Sequence, residues 1–381
     1  MYVIRLALSF IFKQGNILKA KSLSILVIVF LSTACAKFSY IMDQGRGQWR
    51  LLNSARVNQE ILNDPLVPAE YKKKLETVLL HRDHFYRYWN EKPQEIYSKT
   101  TILDQEAVTY LVIASAWNKI EAHQECFPFV GCFPYLGFFS KDKAIEHHRQ
   151  LQEQGLVTYI RPVYAYSSLG HFDDPILSSF FKYDDIDLAR LVFHELFHSI
   201  FFIKNEVNLN EALANFVADK MLLEYFNNKQ DHIEELRVDE EKNTKIKSVL
   251  VDLTKKLNQR YLAMTNKESR PEAQSVLDNF LKEEFRPTVS KMCVELWGVK
   301  TDCEILKGDW NNARFVAFMT YEEDQTVIED YYRHVEALNK QPIKLVQFVE
   351  TLRNQYDHYK KNDRKRIRFE EYLKAEVLKN K

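Results

Sequence analysis

Five consecutive residues, His194-Glu195-Leu196-Phe197-His198, could do chemistry together. On a helix, residues four apart share a face, so both imidazoles can reach one zinc ion. Glu195 follows the first histidine and projects to the side. There it can take a proton from a zinc-bound water without filling a coordination position. Leu191, Val192, Phe193, Leu196, Phe197, Ile200 and Phe201 surround the pentamer with apolar atoms. Such a shell excludes water and strengthens the field of an ion. The chain has 11 His, so a chance HExxH match has an expectation of roughly a few per cent, and the surroundings must carry part of the case. A surface helix with solvated histidines fits those surroundings poorly, because an unpaired buried glutamate is expensive.

A catalytic zinc takes a third protein ligand and keeps one position open. Asn210-Glu211 begins a helical stretch thirteen residues beyond His198. A turn through Lys204 to Val207 would bring that stretch back antiparallel, with Glu211 opposite the histidines. Small Ala212 and Ala214 would allow close approach. Glu206 and Asp219 compete for the role; the first falls in the expected turn and the second lies two turns further on. Asn215, one turn past Glu211, is placed to bond a ligand imidazole or to serve as an ordinary polar helix residue. A neutral donor usually helps to stabilise the oxyanion of peptide hydrolysis. Tyr166 and Tyr321 are the candidates taken forward, beside Tyr164 and His171. The chain has 20 Tyr, most of which must serve packing, so each choice is weak by itself.

Helices and a small sheet must position these groups. Residues 36–50 read as a polar lead-in containing Gly45-Arg46-Gly47. From Trp49 to Trp89 the apolar spacing is helical, broken by a turn from Asp64-Pro65 to Pro68. Ala107–Trp117 and Val157–Ala165 read as strands, the second an edge strand because of Pro162. Such an edge could bind an extended peptide through its main chain. Asp142–Gln154 reads as a helix closed by Gly155. Asp174-Pro175 opens a helix through Phe181; one of Asp184, Asp185 and Asp187 caps the next, which runs to Ile203. Asn208–Phe226 is another. The charged stretch 230–290, interrupted by Pro271 and Pro287, reads as a long solvated helical hairpin without a site. Helical patterns resume over 311–376. The sum is α+β, mainly α, with a small mixed sheet beside the HExxH helix. The expected regions are 1–35 as a signal segment, 36–104 as a helical region, 105–228 as the catalytic core and 229–381 as a helical region packed on it.

The bulk properties narrow the function. The chain has 381 residues, with Lys+Arg and Asp+Glu equal at 53, so no basic footprint points to nucleic acid. It has only 9 Gly and no GxxxxGK[ST] or GxGxxG sequence, which argues against a nucleotide loop. Lys19 and Lys21 precede an apolar run, Leu23 to Leu31, and then Ser32-Thr33-Ala34-Cys35. That order is a secretory signal with a lipoprotein-like cysteine. Ser32 stands where such signals usually have Leu. Ala36 rather than Asp after Cys35 suggests the outer membrane of a Gram-negative envelope. The alternative is an uncleaved anchor, although Leu23–Leu31 is shorter than the ~20 residues a span needs. Both place the chain outside the cytoplasm, lipid-anchored or membrane-anchored. Export favours disulfides, most simply Cys126 with Cys132 and Cys293 with Cys303, out of three possible pairings. A four-cysteine zinc site would need CxxC-like spacings that are not there.

Further segments carry a resemblance. They are Gly47-Gln48-Trp49-Arg50-Leu51-Leu52, Cys126-Phe127-Pro128-Phe129-Val130-Gly131-Cys132, Gly137-Phe138-Phe139 and Tyr164-Ala165-Tyr166-Ser167-Ser168-Leu169-Gly170. Phe172-Asp173-Asp174-Pro175, Leu188-Ala189-Arg190-Leu191 with the pentamer, Asn210-Glu211-Ala212-Leu213-Ala214 and Asn311-Asn312-Ala313-Arg314 complete them. With these the chain resembles a family of predicted bacterial aminopeptidases, lipoprotein-like HExxH zinc proteins, over nearly everything after the signal. The resemblance implies His194, His198 and Glu211 as ligands of one zinc per chain and Glu195 as the catalytic glutamate. Phe197 replaces the family's usual Ala. Phe202-Ile203-Lys204-Asn205-Glu206 replaces a segment like Tyr-Val-Lys-Asp-Asp. Asn311-Asn312 is implied to pack against the site or line it. An aminopeptidase also needs acids or carbonyls for the substrate's free amine, for which Asp173, Asp174 and Glu206 are available.

The expected function is therefore zinc-dependent hydrolysis of peptide bonds, removing N-terminal residues, on a gluzincin-like arrangement. The expected partner is a peptide substrate. An endopeptidase acting on extended peptides is the nearest alternative. A non-catalytic, metal-stabilised envelope protein is the third, opposed by the non-ligating Glu195.

Overall fold

The structure is a computed structural model. It describes residues 39–379 except 128–130, 166–172, 205, 227–229, 299–302, 323–325 and 363–366. The signal segment and Cys35 lie outside the described residues. Residues 36–50 are no simple lead-in, because a helix, α1, occupies 39–53. Gly45 and Gly47 lower helix propensity and obscure it in the sequence. Tertiary contacts compensate. A Cβ on Gly47 would come within 2.3 Å of the Phe139 ring, so glycine is needed for α1 to lie this close. Tyr40 and Gln44 both donate to the Gly137 carbonyl, at 3.0 and 2.9 Å.

Strand β1 (Arg56–Val57) and helices α2 (Asn58–Asn63) and α3 (Ala69–Trp89) follow. The expected turn at Asp64 separates the helices, with Asp64 Oδ1 accepting from the Leu66 N–H at 2.9 Å. Strand β2 (Lys99–Thr101) pairs with β1. Strands β3 (Thr109–Ser115), β6 (Tyr135–Phe138) and β7 (Val157–Val163) form an antiparallel sheet in the order β6-β3-β7. The edge position expected of β7 from Pro162 is observed. Between them, β4 (Glu125–Phe127) and β5 (Gly131–Phe133) make a hairpin bonded by the Cys126–Cys132 disulfide. Helix α4 (Lys141–Glu153) begins at Ser140, which accepts from the Lys143 N–H, and ends before Gly155 at φ 86°.

Two expectations are corrected here. Ile176–Leu177 is not helical. It forms β8, parallel to β2 with Thr100 opposite Ile176, followed by a 3-10 turn over Ser178–Lys182. Thr100, Thr101, Ile176 and Leu177 are all buried, where unpaired backbone groups would be costly, so sheet pairing prevails over helical spacing. The expected single sheet is two three-stranded sheets and a hairpin. Both faces of the β3 sheet are covered by helices. Tyr110, Val112 and Ala114 face Ala144 and Leu151 of α4, and Ile113 on the other face meets Ala313, Val316 and Ala317. This is the two-residue alternation of a strand buried on both sides.

The rest is helical: α5 (Asp185–Phe197), α6 (Val207–Tyr225), α7 (Gln230–Leu262), α8 (Arg270–Phe280), α9 (Arg286–Trp297), α10 (Asn312–Glu322), α11 (Thr326–Asn339), α12 (Leu345–Asn362) and α13 (Phe369–Lys379). The molecule is thus mainly helical with small sheets. The stretch 230–290 is more than a solvated hairpin. Leu253, Leu257, Phe280 and Phe285 share a core with Trp310 and Phe315. Pro271 occupies the first turn of α8, where no N–H is needed, so it starts a helix; Pro287 follows a π-helical turn, Leu281–Phe285, that joins α8 to α9 without a break. Cys293 is bonded to Cys303, completing the expected pairing. The largest core joins Leu51, Val78, Phe193 and Leu213 to Phe348 and Phe369. Among the described residues, no helix is long and apolar enough to cross a membrane.

Asn311 and Asn312 fasten α10 to the sheet. Asn311 Nδ2 donates to the Thr158 carbonyl at 3.1 Å. Buried Asn312 donates to the Ala116 carbonyl at 2.9 Å and accepts from the Tyr261 hydroxyl at 2.8 Å. Replacing Asn312 with Leu leaves those groups unpaired and should cost about 2–4 kcal/mol of unfolding free energy. Urea denaturation measures this; an unchanged midpoint would contradict it.

Candidate metal centre

Asp184 starts α5, its Oδ1 accepting from the Asp187 N–H at 2.8 Å. Asp185 and Asp187 sit in the first turn, where acids suit the helix dipole. Leu188, Ala189, Val192, Phe193, Leu196 and Phe197 form the buried face. Phe197 packs 5.5 Å from Trp89, ring centre to ring centre, so it is core rather than rim. Regular helix ends at Phe197, short of the expected Ile203. His198 still has αR geometry, and the N–H groups of Ser199 and Ile200 reach back only three residues to Leu196 and Phe197. This tightened turn keeps His194 and His198 on one side while the chain reverses.

Asn210 holds the reversal. Its Oδ1 accepts from the Ile203 N–H at 2.8 Å; its Nδ2 donates to the Ile203 and Glu206 carbonyls at 2.7 and 2.8 Å. All three partners are backbone groups of the turn, so the buried amide sets the path by which α6 returns. The C-terminal helices brace it from outside. The Tyr356 hydroxyl accepts from the Lys204 N–H at 3.1 Å, and the Arg353 guanidinium donates to the Ile200 carbonyl at 2.9 Å.

Glu211 follows Asn210 and faces the histidines. Its Oε2 lies 3.3 Å from His194 Nε2 and its Oε1 lies 3.5 Å from His198 Nε2. One potential ligand atom from each of these residues falls within 4.8 Å of the others. Buried Ala212 and Ala214 let α6 approach α5. The other acids considered are engaged elsewhere. Glu206 is buried and bound by Arg368 at 2.6 Å and by the Phe369 N–H at 3.0 Å. Asp219 pairs with Arg190 at 2.8 Å.

The electrostatics suit a cation. Burial lowers His198, helped by the neighbouring His194, to about 4. It is therefore neutral at pH 7, with a lone pair to offer. Burial opposes the charge on His194 too, but Glu211 and Glu195 outweigh it and hold that imidazole above its ordinary value. Burial likewise opposes ionisation of Glu211, yet His194 and His198 keep it below the ordinary carboxylate range. A cation between them would take the place of the His194 proton. The Glu211 side chain is 48% exposed against 2% for His198, so the three-residue cluster is reachable from solvent on the carboxylate side. Two imidazoles and a carboxylate are a donor set that fits zinc. Asn215, one turn past Glu211 on α6, adds to the groups that favour the charged His194 imidazole. His198 Nδ1 is buried without a partner among the described residues.

Of the expected oxyanion donors, Tyr166 and His171 lie outside the described residues, as does the Tyr321 side chain; the Tyr321 backbone belongs to α10. Tyr164 directs its hydroxyl to Glu106 at 3.3 Å. Two tyrosines not singled out from the sequence feel the Glu195 charge. Burial pushes Tyr97 well above the ordinary phenol value, and Glu195 and Asp174 add to this. Burial also raises half-buried Tyr183, with Tyr164, Asp187 and Glu195 contributing. Tyr97 has left-handed backbone at φ 63°, which costs a non-glycine residue roughly 1–3 kcal/mol. Its N–H donates to the Asp174 carbonyl at 2.8 Å and its carbonyl accepts from buried Asn58 at 2.9 Å. No sequence pattern announces such a residue; Tyr183 had a signal, standing just before the capping Asp184. Of the acids suggested for a free amine, Glu206 is engaged, Asp174 is buried and Asp173 is exposed.

A cleft of about 480 Å³ lies between α6 and α7, with Asn215 on its wall and none of His194, His198 and Glu211 lining it. Phe216 and Lys220 of α6 and Val251, Asp252 and Lys255 of α7 help to line it.

Glu211→Ala should leave the fold intact, because its carboxylate is half exposed, yet abolish retention of stoichiometric zinc after dialysis. Metal content by atomic absorption decides this; unchanged zinc would remove Glu211 from the ligand set.

A family model described as "Putative aminopeptidase" matches residues 39–375. No curated protein and no solved structure matches the chain.

Proposed function

Because the chain belongs to the putative aminopeptidase family, we propose that it is a zinc metallopeptidase that removes N-terminal residues from peptides. The observation that carries this is the convergence of His194, His198 and Glu211, with Glu195 on the same helix and outside the cluster. Two histidines four apart and a glutamate from the next helix make a gluzincin-like arrangement, with one ion per chain. When bound there, zinc would supply a Lewis acid that polarises a peptide carbonyl and acidifies water.

The chain's own residues supply the rest. Glu195, one position after His194, accepts a proton from the attacking water and returns it to the leaving amine. The apolar side chains Val192, Leu196 and Phe197 hold α5 in the core, so Glu195 is presented from a rigid element. Burial keeps the Tyr97 and Tyr183 hydroxyls protonated around Glu195. Tyr166 and Tyr321 remain proposed oxyanion donors. The half-exposed Glu211 side of the cluster leaves a route by which a peptide could approach. The second reading is an endopeptidase acting on extended peptides. We place the action in the bacterial cell envelope, with the chain held by lipid on Cys35 or by an uncleaved apolar segment, on the strength of Lys19 to Cys35.

Glu195→Gln should keep zinc and lower kcat by about 10²–10⁴-fold, the usual loss of a general base. Retained turnover would overturn its role. A zinc-loaded digest of a peptide library with free and acetylated N-termini separates the two readings. Cleavage confined to free N-termini supports the aminopeptidase; equal cleavage of both supports the endopeptidase.

A further inference from the structure

Helix α1 divides cleanly into two halves. Tyr40, Asp43, Gln44, Gly47, Gln48 and Leu51 are partly or fully buried, and Ile41, Met42, Gly45, Arg46, Trp49 and Arg50 are exposed. At 3.6 residues per turn the second set forms one continuous outer face. The inner face is fastened to the domain by the Gly137 carbonyl, by the close approach of Gly47 to Phe139, and by the Thr101 hydroxyl donating to the Leu51 carbonyl at 2.9 Å. The outer face therefore cannot turn inward to hide its apolar groups.

Those groups are large. Ile41, Met42 and Trp49 are 48%, 46% and 67% exposed. A single exposed apolar residue means little on any protein. Here three share a helix face with two arginines and no acid. Arg46 reaches Asp43 only at 3.9 Å, with three quarters of its side chain in solvent. Tryptophan settles at the boundary between acyl chains and headgroups, and arginine pairs with anionic headgroups while laying its stem along apolar surface. The chain leading into α1 decides between possible occupants. Cys35 stands four residues before residue 39, and the apolar run Leu23–Leu31 precedes it. Four residues span at most about 14 Å, so an anchor there holds the start of α1 at the bilayer surface.

We infer that the outer face of α1 lies on an anionic lipid surface, with Trp49, Ile41 and Met42 in the interface and Arg46 and Arg50 on the headgroups. The folded domain then rests on the bilayer through this helix in addition to its anchor. The inference uses the envelope placement proposed above and not the peptidase reading.

The test uses the full chain reconstituted in phosphatidylglycerol–phosphatidylcholine vesicles with brominated acyl chains. Part of the tryptophan emission should be quenched by the lipid, and Trp49→Phe should remove that part. Trp49 is mostly exposed, so this substitution spares the core. Arg46→Glu combined with Arg50→Glu should make Trp49 accessible to aqueous iodide. Flotation with the vesicles, combined with lipid quenching that Trp49→Phe does not change, would overturn the inference while leaving the anchor standing. Shielding of Trp49 from iodide in detergent, with the mass of two chains, would assign the face to a second copy and also overturn it. A chain that does not float would defeat the envelope placement and the inference together, without bearing on peptide hydrolysis.

Discussion

The candidate metal centre depends on one buried amide. Asn210 closes the turn between α5 and α6 with three hydrogen bonds to backbone, and Glu211 is the next residue along. A histidine pair on one helix can be placed by local geometry alone. The third donor must come from another element, and its position is only as good as the turn that brings it back. Asn210 converts a nine-residue reversal into a fixed spacing because its one buried amide bonds the Ile203 N–H and two carbonyls of the turn at once. The alanines beside Glu211 do the complementary work by removing the bulk that would hold the helices apart.

The support spreads outward from there. Phe193 and Phe197 lock α5 against α3 through Phe85 and Trp89. Tyr356 and Arg353 of α12 hold the turn from the far side, and Arg368 neutralises buried Glu206 at the start of α6. Segments from both ends of the chain thus converge on the same two helices. The sheet around β3 stands apart from them, enclosed by α4 and α10 and tied in by Asn311 and Asn312. The resemblance implied that these two asparagines pack against the site or line it. Their bonds explain the pair differently, through the packing of α10 on the sheet.

Much of this was legible in the residues. The pentamer and its apolar surroundings were legible from spacing, because a helix repeats every 3.6 residues and places side chains by count, whereas Glu211 rested on an expected helix pairing with Glu206 and Asp219 as competitors. The edge strand at Pro162, the cap at Asp184 and the stop at Gly155 were legible for the same reason: each is a local rule about one or two backbone groups. The disulfide pairing followed from proximity along the chain. Helix α1 was not legible, since two glycines conceal it and its stability comes from Phe139 and Gly137, about ninety residues away. Strand β8 was missed because its partner, β2, lies far earlier in sequence and the residues are equally suited to a helix.

By itself the sequence determined the chemistry on offer: two imidazoles on one helix face with a carboxylate beside them, a glutamate on the next helix, and an apolar run ahead of the domain. These are properties of residue type and short-range period, and they survive any tertiary arrangement that keeps the helices. Only the tertiary structure decided which acid completes the cluster. It engaged Glu206 with Arg368 and Asp219 with Arg190, leaving Glu211 facing the histidines. It also decided which half of α1 meets solvent and that Tyr97, in a strained backbone, sits within the field of Glu195. Those outcomes depend on contacts between residues far apart along the chain, which no local periodicity encodes.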